Sequence, residues 1–396
     1  MRVYLFALLF VYHTAFAAAT GIVLLIADGV SHEAVTATRI YKHGVEGKLA
    51  LDKMPYSAFV RTYSASHLVT DSSAAATAMA RGAKVNSHAV GITHEKTENI
   101  LDIAKHAGWS TAVITTDSVT GGTPAPFLVE TEKRSDEADI AAKTLDALGT
   151  RADFVMGGGA KWFRPPQPSA KHADILSRNA ERVASGKFGY FETWEDFLKR
   201  STPPALCVFY PDHFPMLGDG DYSPRLLDMV KKTVEIFRSQ EKPFLIIAES
   251  SASDKIAHMN NAKYLFAEIV DFDETLAWLR EHCEDCLILA TSDHGTGGLI
   301  INGYQPAKTR GDALLEKNKT VGMSHITWAT GPGKNDGKTQ AAHVPMSAAL
   351  HTGGDTWLFG AGPGAEIVRG TLENTDIHRI IQEAIFHWSD TKSLTK

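Results

Sequence analysis

The sequence predicts an α/β protein in which a central, mostly parallel sheet is covered by helices on both faces. Continuous apolar runs are typical of strands buried on both faces, and they lie at 21–27, 111–114, 244–248 and 287–291. Helical patterns separate these runs, at 99–107, 140–148, 224–237 and 264–279. This alternation of strands and helices predicts a doubly wound, three-layer sandwich.

Composition agrees with an ordinary globular protein and argues against other classes. The chain of 396 residues is 44% hydrophobic and 22% charged, which excludes a disordered or collagen-like protein. Its formal net charge of −6 argues against a nucleic-acid binder, which would carry a basic surplus. Because there are 17 histidines and only 3 cysteines, we expect any transition-metal site to use nitrogen and oxygen ligands.

The first segment is typical of a secretory signal peptide. Arg2 precedes an apolar run at 3–12, and two small-x-small cleavage patterns follow, at 15–17 and 17–19. The run is too short to span a bilayer, so we predict a signal peptide at 1–19 with cleavage near Ala17 or Ala19. A buried first strand is the alternative. We therefore expect an exported protein, periplasmic or extracellular, without a membrane anchor.

Each apolar run leads into residues that can bind a metal ion. Asp28 follows the first run, Thr115 and Thr116 follow the second, Glu249 follows the third, and Asp293 and His294 follow the fourth. Because the carboxyl ends of parallel strands meet at one edge, where such folds bind ligands, we expect these side chains to lie close together. One acid there is usually a cap or turn residue, whereas several packed together would repel one another without cations.

A serine stands at the start of a predicted helix. The alanine-rich segment at 72–81 is a strong helix former, Gly82 is a natural C-cap, and Asp71 or Ser72 is the N-cap. The simplest interpretation is a capping motif alone. The functional alternative is that free N–H groups and the positive helix end stabilise a phosphate on Ser72. No Gly-x-Ser-x-Gly elbow surrounds Ser72, which argues against a serine-hydrolase triad.

Histidines and cysteines complete the set of candidates. Asp254 and His258 are spaced i, i+4, which places both on one face of a helix. His351, before two glycines, is a further candidate ligand, and His343 is its competitor. We predict a local disulfide for the C-x-x-C pair at 283–286, since no second pair exists to complete a zinc site.

Together these segments resemble the alkaline phosphatases, over nearly the whole chain from residue 21 to about 386. The resemblance rests on six motifs in family order: I-A-D-G at 26–29, T-D-S-S-A-A-A-T-A at 70–78, T-P-A-P-F at 123–127, E-S-S-A-S-D-K-I-A-H at 249–258, S-D-H-G-T-G-G at 292–298 and H-T-G-G-D at 351–355. Each motif alone is weak, but the ordered set is highly specific. It implies one catalytic domain over 20–396 and, as partners, small phosphomonoester substrates and a second copy in a homodimer.

The resemblance also implies metal-dependent hydrolysis of phosphate monoesters, of broad range, through a phosphoserine on Ser72. Two zinc ions and one magnesium ion would be cofactors, with ligands as follows: Asp254, His258 and His351 for the first zinc; Asp28, Asp293, His294 and the Ser72 oxygen for the second; Asp28, Thr123 and Glu249 for magnesium. Arg134 has the family spacing after Thr123 for the residue that clamps the phosphate. Two zinc ions would stabilise the attacking and leaving oxygens.

The sequence departs from the family near the implied magnesium site. Gly121 stands two residues before Thr123, where members commonly have Asp or His. We therefore expect weakened magnesium binding, and a Lys255 that lacks an acidic neighbour and reaches more freely toward the phosphate. The segment 301–342 predicts only a short crown-like insertion, which puts the size of the usual dimer interface in doubt.

Two alternatives stay open on the sequence. One is a phosphodiesterase of the same superfamily, although Thr123, Glu249 and Arg134 favour monoesters. The other is an inactive homologue that binds metal or phosphate, although the ligand set is complete. A sulfatase would need a C/S-x-P-x-R pattern, which is absent around Ser72.

Overall fold

The computed structural model describes residues 18–94, 97–167, 171–303, 306–317, 324–334 and 338–394. Most of the predicted signal peptide, residues 1–17, lies outside these ranges. The strands are β1 (Gly21–Ala27), β2 (Tyr56–Arg61), β3 (Ser110–Ser118), β4 (Phe154–Gly158), β5 (Gly189–Phe191), β6 (Ala205–Val208), β7 (Phe244–Ser250), β8 (Cys286–Thr291), β9 (Gly295–Thr296), β10 (Leu299–Ile301), β11 (Ile326–Gly331), β12 (Ala342–Pro345), β13 (His351–Thr352), β14 (Thr356–Ala361) and β15 (Arg369–Glu373). The helices are α1 (His32–His43), α2 (Ser72–Arg81), α3 (Ile100–His106), α4 (Ala125–Leu128), α5 (Glu137–Ala147), α6 (Ala173–Ala184), α7 (Trp194–Arg200), α8 (Leu226–Ser239), α9 (Ala252–His258), α10 (Ala262–His282) and α11 (Asn374–Leu394).

Ten of the described strands form one central sheet, in the order β15-β2-β14-β8-β1-β7-β3-β4-β6-β5. From β8 to β5 every neighbouring pair is parallel, whereas β14 runs antiparallel to both β8 and β2. Every residue of β1, β7 and β8 is buried, as their continuous apolar runs predict. The mostly parallel sheet predicted from the sequence is therefore confirmed.

Successive residues of β1 belong to two apolar cores, one on each face of the sheet. Val23 and Leu25 pack in a core that includes residues of α1, α8, α9 and α10. Ile22 and Leu24 pack in a core that includes residues of α2, α3, α5 and α11. Because side chains alternate between faces along a strand, one apolar strand serves both cores. The three-layer arrangement follows.

The predicted helices are present, with ends displaced by a few residues. The patterns at 99–107, 140–148, 224–237 and 264–279 correspond to α3, α5, α8 and α10. The ends depend on capping side chains rather than on apolar periodicity. In α10, for example, Asn261 is the N-cap and accepts a hydrogen bond from the Tyr264 N–H, so this helix begins at Ala262, two residues before the predicted start.

The predicted disulfide between Cys283 and Cys286 is wrong. Both are buried free thiols, as is Cys207. Cys283 ends α10, its N–H donating to the Leu279 carbonyl at 2.8 Å, and the Cys286 N–H donates back to the Cys283 carbonyl at 3.0 Å. This tight turn leads directly into β8, where the thiols pack as small apolar side chains within the core.

The segment 301–342 connects to a small sheet beside the main one. Its described parts contribute to strands in the order β10-β11-β12. The chain then returns to the central sheet through β13, which pairs antiparallel with β9 so that His351 lies opposite Thr296. This return positions a histidine from late in the chain at the edge that β8 reaches.

Candidate active site

The carboxyl edge of the central sheet gathers acidic residues from distant parts of the chain. Ile26 and Thr115, on the strands flanking β7, both pair with Glu249. Asp28 follows β1 directly, and its N–H donates to the Ser250 carbonyl at 3.0 Å. The strand register therefore brings Asp28, Thr115 and Glu249 to one place, as the strand-end argument predicts.

Ser72 is the first residue of α2, and Asp71 is its N-cap. The Asp71 carboxylate accepts hydrogen bonds from the N–H groups of Ser73 (3.0 Å) and Ala74 (3.4 Å). The cap therefore occupies two of the helix-start N–H groups that the sequence argument considers for a phosphate, those of Ser73 and Ala74. The positive end of the helix still lies at the buried Ser72 hydroxyl.

Asp254, His258 and His351 form what we call the two-histidine cluster. The Nε2 atoms of the histidines lie 3.3 Å apart, and Asp254 Oδ2 lies 3.2 Å from His258 Nε2. Each ring donates its Nδ1–H to a backbone carbonyl, that of Ala349 for His258 (2.6 Å) and that of Thr70 for His351 (3.1 Å). These bonds fix the tautomer that leaves the Nε2 lone pairs beside the carboxylate, an arrangement typical of metal-binding histidines.

Ser72, Asp28, Asp293 and His294 form a second group, the serine cluster. His294 Nε2 lies 3.3 Å from Ser72 Oγ. The same nitrogen lies 3.6 Å from Asp28 Oδ1 and 3.3 Å from Asp293 Oδ2. Asp293 Oδ1 accepts the N–H groups of Gly29 (3.1 Å) and His294 (2.9 Å), which leaves Oδ2 toward the cluster.

The two clusters adjoin one another. His351 stacks on His294 with ring centroids 3.7 Å apart. Asp254 lies between the clusters, with a carboxylate oxygen within 4.8 Å of ligand atoms of Asp28 and His294. The competitor His343 belongs to neither cluster; it is exposed on β12, where its Nε2 lies 3.4 Å from Thr327 Oγ1.

Glu249 anchors a third group, the oxygen cluster, with Asp28 and Thr123. Burial and the nearby Asp117 carboxylate raise the pKa of Glu249 to about 7, and the hydroxyls of Thr115 and Thr123 oppose this rise. The Thr115 hydroxyl donates to Glu249 Oε2, whereas the buried Thr123 Oγ1 has no hydrogen-bond partner among the described residues. All donors in this cluster are oxygen atoms, which is the ligand type that Mg²⁺ prefers.

The electrostatics of the three clusters fit divalent cations. Burial, then the carboxylates of Asp293, Asp254 and Glu249, raise the pKa of Asp28 far above its usual range. The buried oxygens Asp28 Oδ1 and Asp293 Oδ2 have no hydrogen-bond partner among the described residues. Cations would compensate this concentration of negative charge. Burial also lowers the pKa of His294 to about 4, which keeps its ring in the neutral form that binds metals.

Arg134 reaches the site from the loop before α5. Its Nη1 lies 3.4 Å from Asp71 Oδ1, and its side chain is 38% exposed. Gly122 makes room for it, since a Cβ at that position would lie 2.7 Å from the guanidinium carbon. Arg134 is therefore beside the Ser72 helix and accessible to a ligand.

Lys255 is not free, contrary to the expectation from the sequence. Its Nζ lies 2.9 Å from Asp117 Oδ2 and 2.9 Å from Ser251 Oγ. Asp117 is the site residue that the sequence argument missed. It follows Thr115 by two positions, and β3 continues through it to Ser118 instead of ending at Ile114. Its Oδ2 lies 2.9 Å from the place that a Cβ at Gly121 would take.

The model of the alkaline phosphatase family matches residues 19–386. The chain belongs to the alkaline phosphatase family. The alkaline phosphatase of Gadus morhua is 27% identical, over 91% of this chain and 90% of that protein. The human tissue-nonspecific isozyme is 26% identical, over 92% of this chain and 83% of that protein.

Solved structures of alkaline phosphatases share the fold. The enzyme of the Antarctic bacterium TAB5 superposes with a TM-score of 0.72 at 24% identity, covering 94% of this chain and 99% of that one. The enzyme of Thermus thermophilus gives 0.74 at 23% identity, covering 93% and 91%. A mutant of the TAB5 enzyme carries Mg in its M3 site.

Family membership makes this alkaline phosphatase a metal-dependent hydrolase of phosphate monoesters. The fold, the clusters and the family thus agree on an enzyme. Within the described ranges, no helix combines the length and the apolar character that crossing a membrane requires.

Proposed function

We propose that the chain hydrolyses a broad range of phosphate monoesters to an alcohol and inorganic phosphate through a covalent phosphoserine on Ser72. The observation that carries this proposal is the position of Ser72 Oγ, 3.3 Å from His294 Nε2 and at the start of α2. A hydroxyl needs such activating surroundings, because its own pKa is too high for it to act as a nucleophile.

The three clusters supply the ligands for the proposed cofactors. The two-histidine cluster would hold one zinc ion, the serine cluster a second, and the oxygen cluster a magnesium ion. Mixed nitrogen and oxygen donors suit zinc, whereas donors that are all oxygen suit magnesium. When bound, the zinc ions would supply Lewis-acid stabilisation of the attacking and leaving oxygens and would ease deprotonation of the serine and of a water.

The chain's own residues perform the rest of the reaction. Ser72 Oγ loses its proton and forms a bond to phosphorus while the bond from phosphorus to the alcohol oxygen breaks, and that oxygen gains a proton. Water then forms a bond to phosphorus as the bond to Ser72 Oγ breaks, which releases phosphate and returns a proton to the serine. Arg134, whose planar guanidinium suits two parallel hydrogen bonds, holds the phosphoryl oxygens. Asp71 keeps Arg134 and α2 in place, so that nucleophile and clamp stay together.

We also infer that the enzyme is exported and acts as a homodimer. The charged start, apolar run and small residues of the first 19 positions support export. The dimer rests on the family resemblance alone. Comparing the mass of the secreted chain with that of the full sequence tests the cleavage near Ala17 or Ala19, and light scattering tests the dimer.

Replacing Ser72 tests the covalent mechanism. Ser72→Ala should abolish phosphate release from an aryl phosphate at alkaline pH while zinc and magnesium stay bound, and the phosphoserine trapped at low pH should disappear from the mass spectrum. Ser73→Ala is the matched control, because Ser73 is the adjacent buried serine of the same helix. Full activity in Ser72→Ala would refute the covalent route.

Two further outcomes separate the alternatives. A parent protein that binds zinc but shows no turnover sensitive to a chelator would be the inactive homologue. Faster hydrolysis of a diaryl phosphate than of the monoaryl phosphate would identify a phosphodiesterase.

A further inference from the structure

Asp117 lies beside the candidate active site. Its ionised carboxylate has no role in the reaction proposed above. It lies near the end of β3, and its side chain is 21% exposed. Lys255 pairs with its Oδ2 at 2.9 Å, and its backbone N–H donates to Thr115 Oγ1 at 2.8 Å. The ion pair fixes where the carboxylate points, and the N–H bond holds the backbone of Asp117 in place.

The carboxylate occupies the space that a side chain at position 121 would need. A Cβ at Gly121 would lie 2.9 Å from Asp117 Oδ2 and 3.0 Å from the Ser118 carbonyl oxygen. Real Cβ atoms do not approach a carboxylate so closely without displacing it. Glycine at 121 therefore allows an acid from four residues earlier to reach this place.

Asp117 is linked to the oxygen cluster through Thr115. The Thr115 hydroxyl donates to Glu249 Oε2 and accepts the backbone N–H of Asp117, so one threonine joins the Glu249 carboxylate to the Asp117 backbone. Their charges interact, which is one reason why the pKa of Glu249 is raised. A cavity of about 210 Å³ adjoins this point and is lined in part by Asp117, Gly121 and Arg134. This volume admits several water molecules.

We propose that Asp117 is a positioning residue for the divalent cation of the oxygen cluster, accepting hydrogen bonds from the water molecules that the cation retains. Magnesium bound by a few protein oxygens keeps several waters, and groups that orient such ligands raise affinity by about 10- to 100-fold. The inference rests on the proposed function of the oxygen cluster. It reverses the expectation of weak magnesium binding that Gly121 raises.

The test measures magnesium binding without turnover. All variants are made on Ser72→Ala, and the half-saturating Mg²⁺ concentration is read from the rise in Tm of zinc-loaded protein and from magnesium content after gel filtration. Asp117→Asn should raise the half-saturating concentration by about tenfold or more. The double variant Asp117→Ala with Gly121→Asp moves the acid to the position that Asp117 fills in space, and it should restore binding to within about threefold of the parent.

Asp153→Asn is the matched control. Asp153 is likewise a partly buried acid paired with a lysine, Lys105, at 2.8 Å, and its Oδ2 accepts the Thr111 N–H at 2.9 Å. Its loss should lower Tm without changing the Mg²⁺ concentration dependence. The double variant keeps the test open if Asp117→Asn fails to fold.

The outcomes decide the inference. A tenfold weakening in Asp117→Asn alone, with recovery in the double variant, supports it. It is overturned if Asp117→Asn binds Mg²⁺ as the parent does, if Asp153→Asn weakens binding equally, or if the double variant does not recover. If the parent itself shows no effect of Mg²⁺ on Tm, the proposed magnesium site fails, and that failure is visible before any Asp117 variant is compared.

Discussion

Arg134 Nη1 lies 3.4 Å from Asp71 Oδ1. The residue proposed to hold the phosphate therefore contacts the N-cap of α2, the helix that begins with the proposed nucleophile Ser72. Asp71 also accepts the His88 N–H at 2.8 Å. Although burial raises the pKa of Asp71, the His88 N–H and Arg134 lower it, and the net shift is downward. Asp71 therefore stays ionised, and it both caps α2 and holds Arg134.

Substituting Asp71 should separate these two roles. Asn is as good an N-cap as Asp, so Asp71→Asn should retain α2 but hold Arg134 less firmly, raising KM by about tenfold. Its amide nitrogen would face the His88 N–H that Asp71 Oδ2 accepts, so stability should fall by about 1–3 kcal/mol. Asp71→Ala should show the same rise and also lose about 1 kcal/mol of stability with the cap. Steady-state kinetics and thermal unfolding measure both effects. An unchanged KM in both variants would show that the contact does not position Arg134.

Comparing substitutions of His351, which belongs to the two-histidine cluster, and His343, which does not, tests this cluster as a metal site. Removing the His351 ring takes away one of the two Nε2 ligands, so His351→Ala should lose about one equivalent of zinc and most activity, because such a site needs three protein ligands. His343→Ala should retain both, since this ring contacts Thr327 and not the cluster. Elemental analysis of the purified variants checks this. Equal zinc loss in both variants would contradict the assignment.

Most of the site was predictable because its residues follow buried strands or lie within ordered motifs. Asp28, Glu249 and Asp293 each come after a continuous apolar run. Because the strands are parallel, these strand ends lie at the same edge of the sheet. The spacing of Asp254 and His258 is correct because α9 continues without a break from one to the other. These relationships are local or repeat along the sheet, so one sequence is enough to find them.

The features that were missed depend on contacts between distant residues. Asp117 escaped notice because the apolar run ends at Ile114 although β3 does not, and because its partner Lys255 comes from another element. The glycine at 121 shows that the sequence departs from the family there, but it does not show which side chain occupies the space. Likewise, a C-x-x-C spacing permits a disulfide, whereas the turn from α10 into β8 leaves two buried thiols. Packing of this kind is not encoded in spacing.

Glu268 should make stability depend on pH outside the catalytic clusters. Burial raises its pKa from 4.5 to about 7, although its Oε1 accepts the Leu217 N–H at 2.8 Å. A carboxyl with a raised pKa stabilises the fold fully below the unfolded value of 4.5, and this contribution is lost as pH rises to about 7. Glu268→Gln should therefore equal the parent below this window and exceed it above by about 1–3 kcal/mol.

Urea unfolding of the chelated protein on both sides of the window measures this difference. Glu281→Gln is the control, since Glu281 is exposed on the same helix, α10. A constant difference between Glu268→Gln and the parent at all pH values would show that Glu268 does not titrate in this range.

Replacing Asp28 should change stability with opposite signs in the metal-free and the metal-loaded protein. Without cations, the buried Asp28 carboxylate faces Asp293, Asp254 and Glu249, so the neutral, similarly shaped side chain of Asp28→Asn should stabilise the chelated protein by about 1–4 kcal/mol at neutral pH. This gain should shrink as pH falls, because the raised pKa lets the parent's own carboxyl become neutral.

With zinc and magnesium present the variant should be the less stable protein, since Asp28 belongs to both the serine and the oxygen clusters. Thermal unfolding with chelator and with metals measures both signs, and an exposed Asp146→Asn should show neither. A variant that is less stable in both states would mean that Asp28 supports the fold rather than the cations.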